Sequence, residues 1–288
     1  MKLHPRTSLL VFLFVLFMPM LKSQSTSDEV VFTAPLSYSS RFVGATRSLG
    51  ISAQSIPVIS TDIDSASSET KALVSAPDRY DYVIFCSRKA VDAYVYYQTS
   101  AHAHGTTSTQ YLAIGKDVDY LRERTGLDVA FLSHEASPMG LVAALKSRHI
   151  TNKKVAVLAP GMRGIEEPFV VPQFIAALQE IGLEVTRIDA YYTRPVTSNV
   201  NTLIRLLEEG KVSLLAFTSG GEIEALMTGI VHSGKDRAKL LQSVPVACFG
   251  PYTRRCAFKY RLDVKVVATD FSRAEGLAEA ISHYIRSK

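Results

Sequence analysis

The sequence predicts an α/β fold made of two similar lobes, and three observations support this prediction. Short apolar segments such as residues 82–85 alternate with segments of helical spacing, which is typical of parallel strands covered by helices on both faces. Several patterns of the first half of the chain return in the second half. Residues 183–195 form an extended segment, rich in β-branched and aromatic residues, that ends at Pro195, as expected of a strand that leaves one lobe and enters the other.

The composition limits the size and class of the protein. A chain of 288 residues is enough for about two domains, and 47% apolar against 20% charged residues is the balance of a chain that buries real cores. The net charge of +5 comes from scattered lysines and arginines, so a nucleic-acid groove is not predicted. The three cysteines, an odd number without the spacing of a metal site, argue against a disulfide framework and favour a reducing compartment.

The first 27 residues are typical of a targeting segment and are set apart from the fold. Lys2 and Arg6 precede a short apolar run at residues 9–17, and a small polar exit follows at residues 22–25. The run is too short, and too close to Pro19, for a membrane span. On the residues alone, export, organelle import and a membrane anchor all stay open.

In the first half of the chain, residues 41–49 have helical spacing, and Gly50 closes them as a helix C-cap would. The other segments predicted here are strands at residues 30–33, 51–59 and 82–85, a polar connection at 61–70, and helices after that connection and after Ser87.

The second half repeats the first at offsets of 125 to 136 residues. One such match would be noise, but four at slowly drifting offsets predict a duplicated unit of alternating strands and helices. The corresponding segments are residues 30–35 with 155–160, 83–87 with 215–219, 112–115 with 247–250, and 140–145 with 276–281.

Ligands of such folds bind at the carboxyl ends of the strands, so the loops that follow the apolar strands are the predicted site. These loops are rich in Ser, Thr and Gly and begin helices, where backbone N–H groups hold carboxylates or phosphates without a charged side chain. For Ser87 and Thr218 taken singly, helix capping is the alternative interpretation. The loops are residues 34–35, 86–87, 115–116, 159–161, 218–221 and 250–253.

The residues predict a site without a metal or an organic cofactor. Residues 229–236 imitate a nucleotide P-loop, but Asp236 stands where Ser or Thr would hold magnesium, and no strand precedes them. His102 and His104 have no further ligand at metal-site spacing. No glycine-rich dinucleotide fingerprint follows the first strand.

Taken together and in order, several segments resemble one family, uroporphyrinogen-III synthase, the enzyme that closes the tetrapyrrole ring. The resemblance runs over residues 30–285, and it depends on order and spacing because no single segment is diagnostic. Its most specific parts are VIFCSRKAV at residues 83–91, LEVTRIDAYYTRP at 183–195, AFTS at 216–219 and VACFGPYT at 246–253.

The fold implied by this resemblance is two interleaved α/β lobes, each a parallel sheet flanked by helices, joined by a two-stranded connector with the active site in the cleft. Mapped onto this chain, residues 28–59 with 193–288 form lobe A, and residues 60–190 form the inserted lobe B. The connector strands are then residues 56–59 and 188–195, in agreement with the strand that ends at Pro195.

The chemistry implied by the resemblance is cyclisation of hydroxymethylbilane, a linear tetrapyrrole with many carboxylates, with loss of water and inversion of its last ring. Departure of the terminal hydroxyl leaves an electrophilic azafulvene. The far pyrrole attacks it through its substituted carbon, and a spiro intermediate breaks and recloses. Such a site has to help the hydroxyl leave and to hold the flexible chain with its ends together.

The resemblance also implies roles for single residues. Tyr191 matches a connector tyrosine that hydrogen-bonds the leaving hydroxyl, and Thr253 matches a threonine that follows the family's glycine, so these two are the predicted catalytic residues. One departure is Val118, where members often carry a threonine. The predicted substrate-binding residues are Ser87, Arg88, Gly161, Thr218, Ser219, Gly220, Gly250 and Tyr252.

Two other hypotheses stay open. A two-lobed protein that binds a small anion would use the same cleft without a catalytic tyrosine, and a noncatalytic relative would keep the fold without turnover. The expected partner is a small molecule, hydroxymethylbilane in the leading hypothesis, and the mature domain is expected to be a monomer without nucleic acid or stable membrane association. Because tetrapyrrole synthesis in photosynthetic eukaryotes occurs in plastids, a plastid is the favoured destination, with secretion or membrane anchoring as alternatives.

Overall fold

A computed structural model of the protein describes residues 29–99, 108–115 and 117–288. The predicted targeting segment at residues 1–27, the histidines His102 and His104, and Lys116 lie outside the described residues. Over the described part of the chain, strands and helices alternate as the sequence predicts.

The strands are β1 (Val30–Phe32), β2 (Ala53–Ser55), β3 (Ile59–Ile63), β4 (Tyr82–Phe85), β5 (Gln110–Ala113), β6 (Lys154–Met162), β7 (Glu184–Pro195), β8 (Leu214–Phe217), β9 (Val246–Cys248) and β10 (Val264–Val267). The α-helices are α1 (Leu36–Ser48), α2 (Ser68–Ser75), α3 (Arg88–Gln98), α4 (Asp117–Thr125), α5 (Pro138–Ser147), α6 (Val170–Glu180), α7 (Thr197–Glu208), α8 (Gly220–His232), α9 (Arg237–Leu241), α10 (Pro251–Lys259) and α11 (Ala274–Arg286).

These strands form two five-stranded sheets. Sheet A has the order β10-β9-β8-β1-β2 and is parallel throughout. Sheet B has the order β3-β7-β6-β4-β5 and is parallel except for β3, which runs antiparallel to β7. Apolar clusters fill both faces of each sheet under the helices, and every residue of β1, β4 and β8 is buried. The predicted two-lobed α/β fold class is confirmed; we call the body around sheet A lobe A and the other lobe B.

The predicted repeat is present in the strand order. The run β9-β8-β1-β2 of sheet A corresponds to the run β5-β4-β6-β7 of sheet B. The sequence matches join three of these pairs: β9 with β5, β8 with β4 and β1 with β6. One pair of glycines shows the same constraint in both copies. A Cβ on Gly140 of α5 would overlap the carbonyl oxygen of Glu135, and a Cβ on Gly276 of α11 would overlap that of Asp270. Each copy therefore needs a glycine where this helix packs on the loop before it.

The single strand predicted over residues 51–59 is wrong, because the chain changes sheets inside it. After β2, the amides of Ile56 and Val58 still donate to carbonyls at the end of β1, at 2.9 Å each. Pro57, which has no N–H to give to a ladder, lies between them. β3 then begins at Ile59 in sheet B.

The connector between the lobes is β3 paired with the last five residues of β7. β3 starts three residues later than the predicted connector strand at 56–59, and it runs into the predicted polar connection at 61–70. Polar side chains suit a strand that crosses between the lobes: Asp62 and Arg194 form an exposed ion pair across it at 2.8 Å.

Helix α1 begins five residues before the predicted helix at 41–49. Pro35 precedes its first turn, and Gly50 follows its end with a φ of +79°, the left-handed conformation expected of a C-terminal glycine. Because α1 starts shortly after β1, its first two turns, with Tyr38 and Arg41, lie at the strand ends where a site is predicted.

The lobes also contact each other along α10, which packs against the segment between β6 and α6. Lys259 of α10 bridges the lobes, with its Nζ 3.0 Å from Glu224 in lobe A and 2.8 Å from Glu166 in lobe B. Burial acts to lower the pKa of Lys259, but its hydrogen bonds to these two carboxylates raise the pKa by more. The guanidinium of Arg255 lies 4.1 Å from the ring centroid of Phe169 across the same contact.

All three cysteines are free thiols, with Cys248 and Cys256 buried and Cys86 partly buried. Burial raises the pKa of Cys86 and of Cys248 to about 12 and that of Cys256 to about 11. The thiols therefore stay protonated at neutral pH and are poor nucleophiles.

No helix within the described residues combines the length and the apolar character needed to cross a bilayer.

Candidate functional site

The predicted site residues gather at the carboxyl ends of two equivalent strands, one in each lobe. Residues 86–88, the β4–α3 turn, follow β4, and residues 218–220, the β8–α8 turn, follow β8. In both turns a serine in extended conformation precedes the helix: φ and ψ are −168° and 168° at Ser87, and −146° and 162° at Ser219. The two turns are the same feature of the duplicated unit.

The β4–α3 turn is connected to the strand β7 through Ser87. Its Oγ accepts from the N–H of Ala90 at 3.2 Å, which caps α3, so the capping interpretation of this serine is confirmed. The same Oγ lies 2.8 Å from the hydroxyl oxygen of Tyr191. Since an accepting serine still has its own proton, Ser87 can donate to Tyr191 and leave the proton of the phenol for a bound ligand.

The ring of Tyr191 is packed inside lobe B, and its side chain is only 6% exposed. It belongs to the apolar cluster on the α3 side of sheet B, together with Ile188 and Val118. Burial raises the pKa of Tyr191, and the hydrogen bond with Ser87 opposes this only in part. At physiological pH the phenol is therefore a neutral hydrogen-bond donor.

Arg88 is the charged group of the β4–α3 turn. Its side chain is 44% exposed, and its Nε donates to Asp117, at the start of α4, at 3.1 Å. Burial raises the pKa of Asp117, and the hydrogen bond from Arg88 opposes that shift. The turn therefore presents a solvent-facing cation whose counter-ion comes from the neighbouring loop.

The first two turns of α1 carry Tyr38 and Arg41 of lobe A. The guanidinium carbon of Arg41 lies 4.6 Å from the ring centroid of Tyr38. Burial raises the pKa of Tyr38, and charges from both lobes act on it: Arg41 and Glu222 of lobe A, Asp117 and Arg88 of lobe B. Tyr38 is therefore within electrostatic range of charged groups at both turns.

The β8–α8 turn is filled by a carboxylate of the chain itself. Glu222 of α8 is fully buried, with no exposed surface. Its Oε1 accepts from the hydroxyls of Thr218 at 2.6 Å and Ser219 at 2.9 Å, and its Oε2 accepts from the N–H of Thr218 at 3.0 Å and the hydroxyl of Thr33 at 2.7 Å. Because Thr33 follows β1, one carboxylate ties together the ends of β1 and β8. Burial raises the pKa of Glu222 by more than these hydrogen bonds lower it.

Thr253 and Gly220 complete this part of lobe A. The hydroxyl of Thr253 donates to the carbonyl of Thr218 at 3.1 Å, and the side chain is 5% exposed. A Cβ on Gly220 would lie 2.5 Å from Sγ of Cys256 and 3.0 Å from Cβ of Pro168, so this glycine is required where α10 and lobe B close over the turn. The structure thus brings Thr218, Ser219, Gly220 and Thr253 together.

Gly161, Gly250 and Tyr252 lie at other strand ends. The loop predicted at residues 159–161 is wrong, because β6 continues through it beside β7, and a Cβ on Gly161 would lie 2.5 Å from the ring of Tyr192. Gly250 and Tyr252 begin α10, with Gly250 backed by the side chain of Phe271.

Sequence reasoning missed four charged or phenolic residues of this site: Tyr38, Arg41, Asp117 and Glu222. Glu222 had a local signal, because Ser219 and Glu222 have the spacing of a capping box, a serine followed three residues later by a glutamate. Tyr38 and Arg41 had none, since their place depends on the approach of the other lobe.

A polar cavity of about 510 Å³ lies elsewhere, beside β7, and is lined in part by Glu167, Arg187 and Asp189. Arg187 is already paired there, at 2.6 Å with Glu167 and 2.8 Å with Asp189. Within the described ranges, no group of three or more His, Cys, Asp or Glu side chains is arranged to hold a metal ion.

Comparison with known proteins gives one consistent result. The family model of uroporphyrinogen-III synthase HemD matches residues 40–279. A protein of Methanothermobacter thermautotrophicus, provisionally named uroporphyrinogen-III synthase, is 30% identical over 182 residues, which are 62% of this chain and 68% of that protein. The crystal structure of a mutant uroporphyrinogen III synthase from Thermus thermophilus superposes with a TM-score of 0.64 at 18% identity, over 90% of this chain and 99% of that one. At that identity the superposition shows a shared fold.

Proposed function

Because this chain belongs to the uroporphyrinogen-III synthase family, we propose that it cyclises hydroxymethylbilane to uroporphyrinogen III, with loss of water and inversion of the last ring, as a monomer without a cofactor. The observation that carries this proposal is the hydroxyl of Tyr191, held at 2.8 Å by Ser87 at the start of α3. A neutral phenol, fixed by a partner that can donate to it, suits the departure of a hydroxyl group, which needs a proton from a group that is still protonated at neutral pH.

In the proposed reaction Tyr191 donates to the leaving hydroxyl, and Ser87 holds the phenol in the orientation that frees its proton. Arg88 and Arg41, one from each lobe, attract the carboxylates of the substrate toward the same place. Thr253 is the second proposed catalytic residue, on the lobe A side. Holding the ends of a flexible chain together contributes to the rate by removing orientational freedom before the chemical step, for which two facing lobes are suited.

The lobe boundaries, residues 28–59 with 193–288 and residues 60–190, are part of this proposal, and so are substrate contacts at Gly161, Gly250 and Tyr252. Main-chain N–H groups at helix starts are the proposed donors to the carboxylates. Contacts with substrate carboxylates are also predicted for Thr218, Ser219 and Gly220. The hydroxyls of Thr218 and Ser219, however, already donate to Glu222.

The experiment that tests the function uses the protein without its first 27 residues and freshly prepared hydroxymethylbilane. Formation of the type III isomer above the type I isomer that arises spontaneously is the expected result. Tight binding of hydroxymethylbilane without type III product would instead support a noncatalytic relative or an anion-binding protein.

A further inference from the structure

The groups that Glu222 engages are those that a bound carboxylate would use. A ligand carboxylate bound in the β8–α8 turn could accept from the N–H of Thr218 and from the hydroxyls of Thr218 and Ser219. All three donors already point to Glu222, at 2.6 to 3.0 Å, and its carboxylate is fully buried.

This arrangement differs from ordinary helix capping in the groups that the glutamate bonds. In a capping box the glutamate bonds the N–H of the N-cap residue, here Ser219. Glu222 instead bonds the N–H of Thr218, one residue earlier, and also the hydroxyl of Thr33, which belongs to another strand end. The carbonyl of Thr218 in turn accepts from Thr253 at 3.1 Å. A continuous chain of hydrogen bonds therefore runs from Glu222 through Thr218 to Thr253.

We propose that Glu222 is a positioning residue of this site: its carboxylate occupies the β8–α8 turn in place of a substrate carboxylate, and it holds Thr218 where the carbonyl of Thr218 orients Thr253. The inference deepens the proposed function and rests on it for the part that concerns turnover. The inference assigns the binding of substrate carboxylates to the β4–α3 turn, with Arg88, and to Arg41. The β8–α8 turn then positions Thr253 and does not itself bind a substrate carboxylate.

The first test asks whether the β8–α8 turn is a carboxylate site that Glu222 occupies, and it needs no substrate. Glu222→Ala leaves a cavity lined by the orphaned donors, so formate should raise its Tm relative to chloride at the same ionic strength, because a ligand that binds only the native state stabilises it. Glu222→Gln fills the cavity, so formate should leave the Tm of this control and of the wild type unchanged. A Tm of Glu222→Ala that is equal in formate and chloride would overturn the occupancy.

The second test asks whether Glu222 acts through Thr253, and it also serves if Glu222→Ala does not fold. Glu222→Gln should lower kcat by on the order of tenfold with a smaller change in KM, and the double variant with Thr253→Val should be no slower than Thr253→Val alone, because residues in one network are not additive. Fully multiplicative losses, or a Thr253→Val variant as fast as the wild type, would overturn the positioning role.

The two tests separate this inference from the proposed function. If the wild type forms no type III isomer, the proposed function fails, while the formate result still decides whether Glu222 occupies a carboxylate site. If the wild type is active and formate has no effect on Glu222→Ala, the inference fails and the function stands.

Discussion

The β4–α3 turn of lobe B and the β8–α8 turn of lobe A start from the same backbone and end with opposite properties. Both follow a buried central strand, and both place a serine in extended conformation before a helix. At the next position, however, Arg88 is solvent-facing in one turn, whereas Gly220 is packed under Cys256 in the other.

The partners of the two serines differ in the same way. Ser87 caps its helix, contacts the phenol of Tyr191 and is itself partly exposed. Ser219 makes no side-chain cap and gives its hydroxyl to Glu222, which is itself buried. Because Glu222 supplies a carboxylate to the β8–α8 turn, we call that turn the closed turn, and we call the β4–α3 turn the open turn. The active chemistry is therefore expected on the lobe B side.

The largest effect on activity should come from removing the hydroxyl of Tyr191, which contacts Ser87 of the open turn. Tyr191→Phe should lower the rate of type III isomer formation by about 100-fold, since a positioned proton donor contributes at least that much. The fold should survive, because the change removes one neutral hydrogen bond worth about 1 kcal/mol. The measurement is the initial rate with hydroxymethylbilane, together with the Tm.

The matched control is Tyr192→Phe, the same chemical change at the next residue. The ring centroid of Tyr192 lies 3.4 Å from the guanidinium carbon of Arg163. Its turnover should stay close to that of the wild type. Equal losses in both variants, or no loss in Tyr191→Phe, would remove the assignment of chemistry to the open turn.

Substitutions in the closed turn should change the unfolding free energy of the protein. A Cβ added in Gly220→Ala would meet Sγ of Cys256 at 2.5 Å, and overpacking of this kind costs about 1–3 kcal/mol of unfolding free energy. At the neighbouring Gly221→Ala the nearest atom is 3.8 Å away, so the better helix propensity of alanine should leave stability unchanged or raise it by up to about 1 kcal/mol. Chemical denaturation of both variants measures the difference.

A third variant shows whether the clash is the cause. Cys256→Ala removes the sulfur that the new methyl group meets, so the double variant with Gly220→Ala should lose less stability than the sum of the two single losses. Simple additivity would mean that the closed turn is not packed as tightly as its contacts indicate.

The sequence predicts most of the fold because the fold depends on local patterns. Central strands such as β4 are recognisable as short apolar runs, and the repeat predicts that the two halves share one arrangement of strands and helices. The split of residues 51–59 between two sheets was not predictable, because an apolar run does not say which sheet edge it joins. The same limit applies to the site: Ser87 and Tyr191 come from recognisable segments, whereas Tyr38 and Arg41 gain their role only from the meeting of two lobes.

The buried carboxylate of the closed turn should also shape the pH dependence of stability. Burial raises the native pKa of Glu222 above the value of 4.5 expected in the unfolded chain. The contribution of Glu222 to the unfolding free energy is therefore fully present below pH 4.5 and is lost as the pH rises toward the native pKa. The reason is that Glu222 releases its proton at lower pH in the unfolded chain than in the native protein. One proton sets a limit of about 1.4 kcal/mol per pH unit.

Glu222→Gln cannot release a proton, so its unfolding free energy should fall less between pH 4.5 and neutrality than that of the wild type. Urea titrations of both proteins at several pH values measure this difference, in which the contributions of the other groups cancel. Parallel stability curves would mean that the carboxylate of the closed turn ionises as easily as an exposed one.

The smallest expected effect concerns the charge of the open turn. Arg88 is 44% exposed and its pair with Asp117 is near the surface, so Arg88→Gln should change the unfolding free energy by less than about 1 kcal/mol. If Arg88 attracts a substrate carboxylate, the same change should raise KM about two- to fivefold with little change in kcat, since one exposed ion pair is worth about 0.4–1 kcal/mol.

Arg122→Gln is the matched control, because Arg122 is similarly exposed, at 55%, in α4 and pairs with Asp128 at 2.7 Å. This control should have the KM of the wild type. A rise in KM of the same size in both variants would mean that the substrate senses the overall charge of lobe B, and then Arg88 would no longer distinguish the open turn from the closed one.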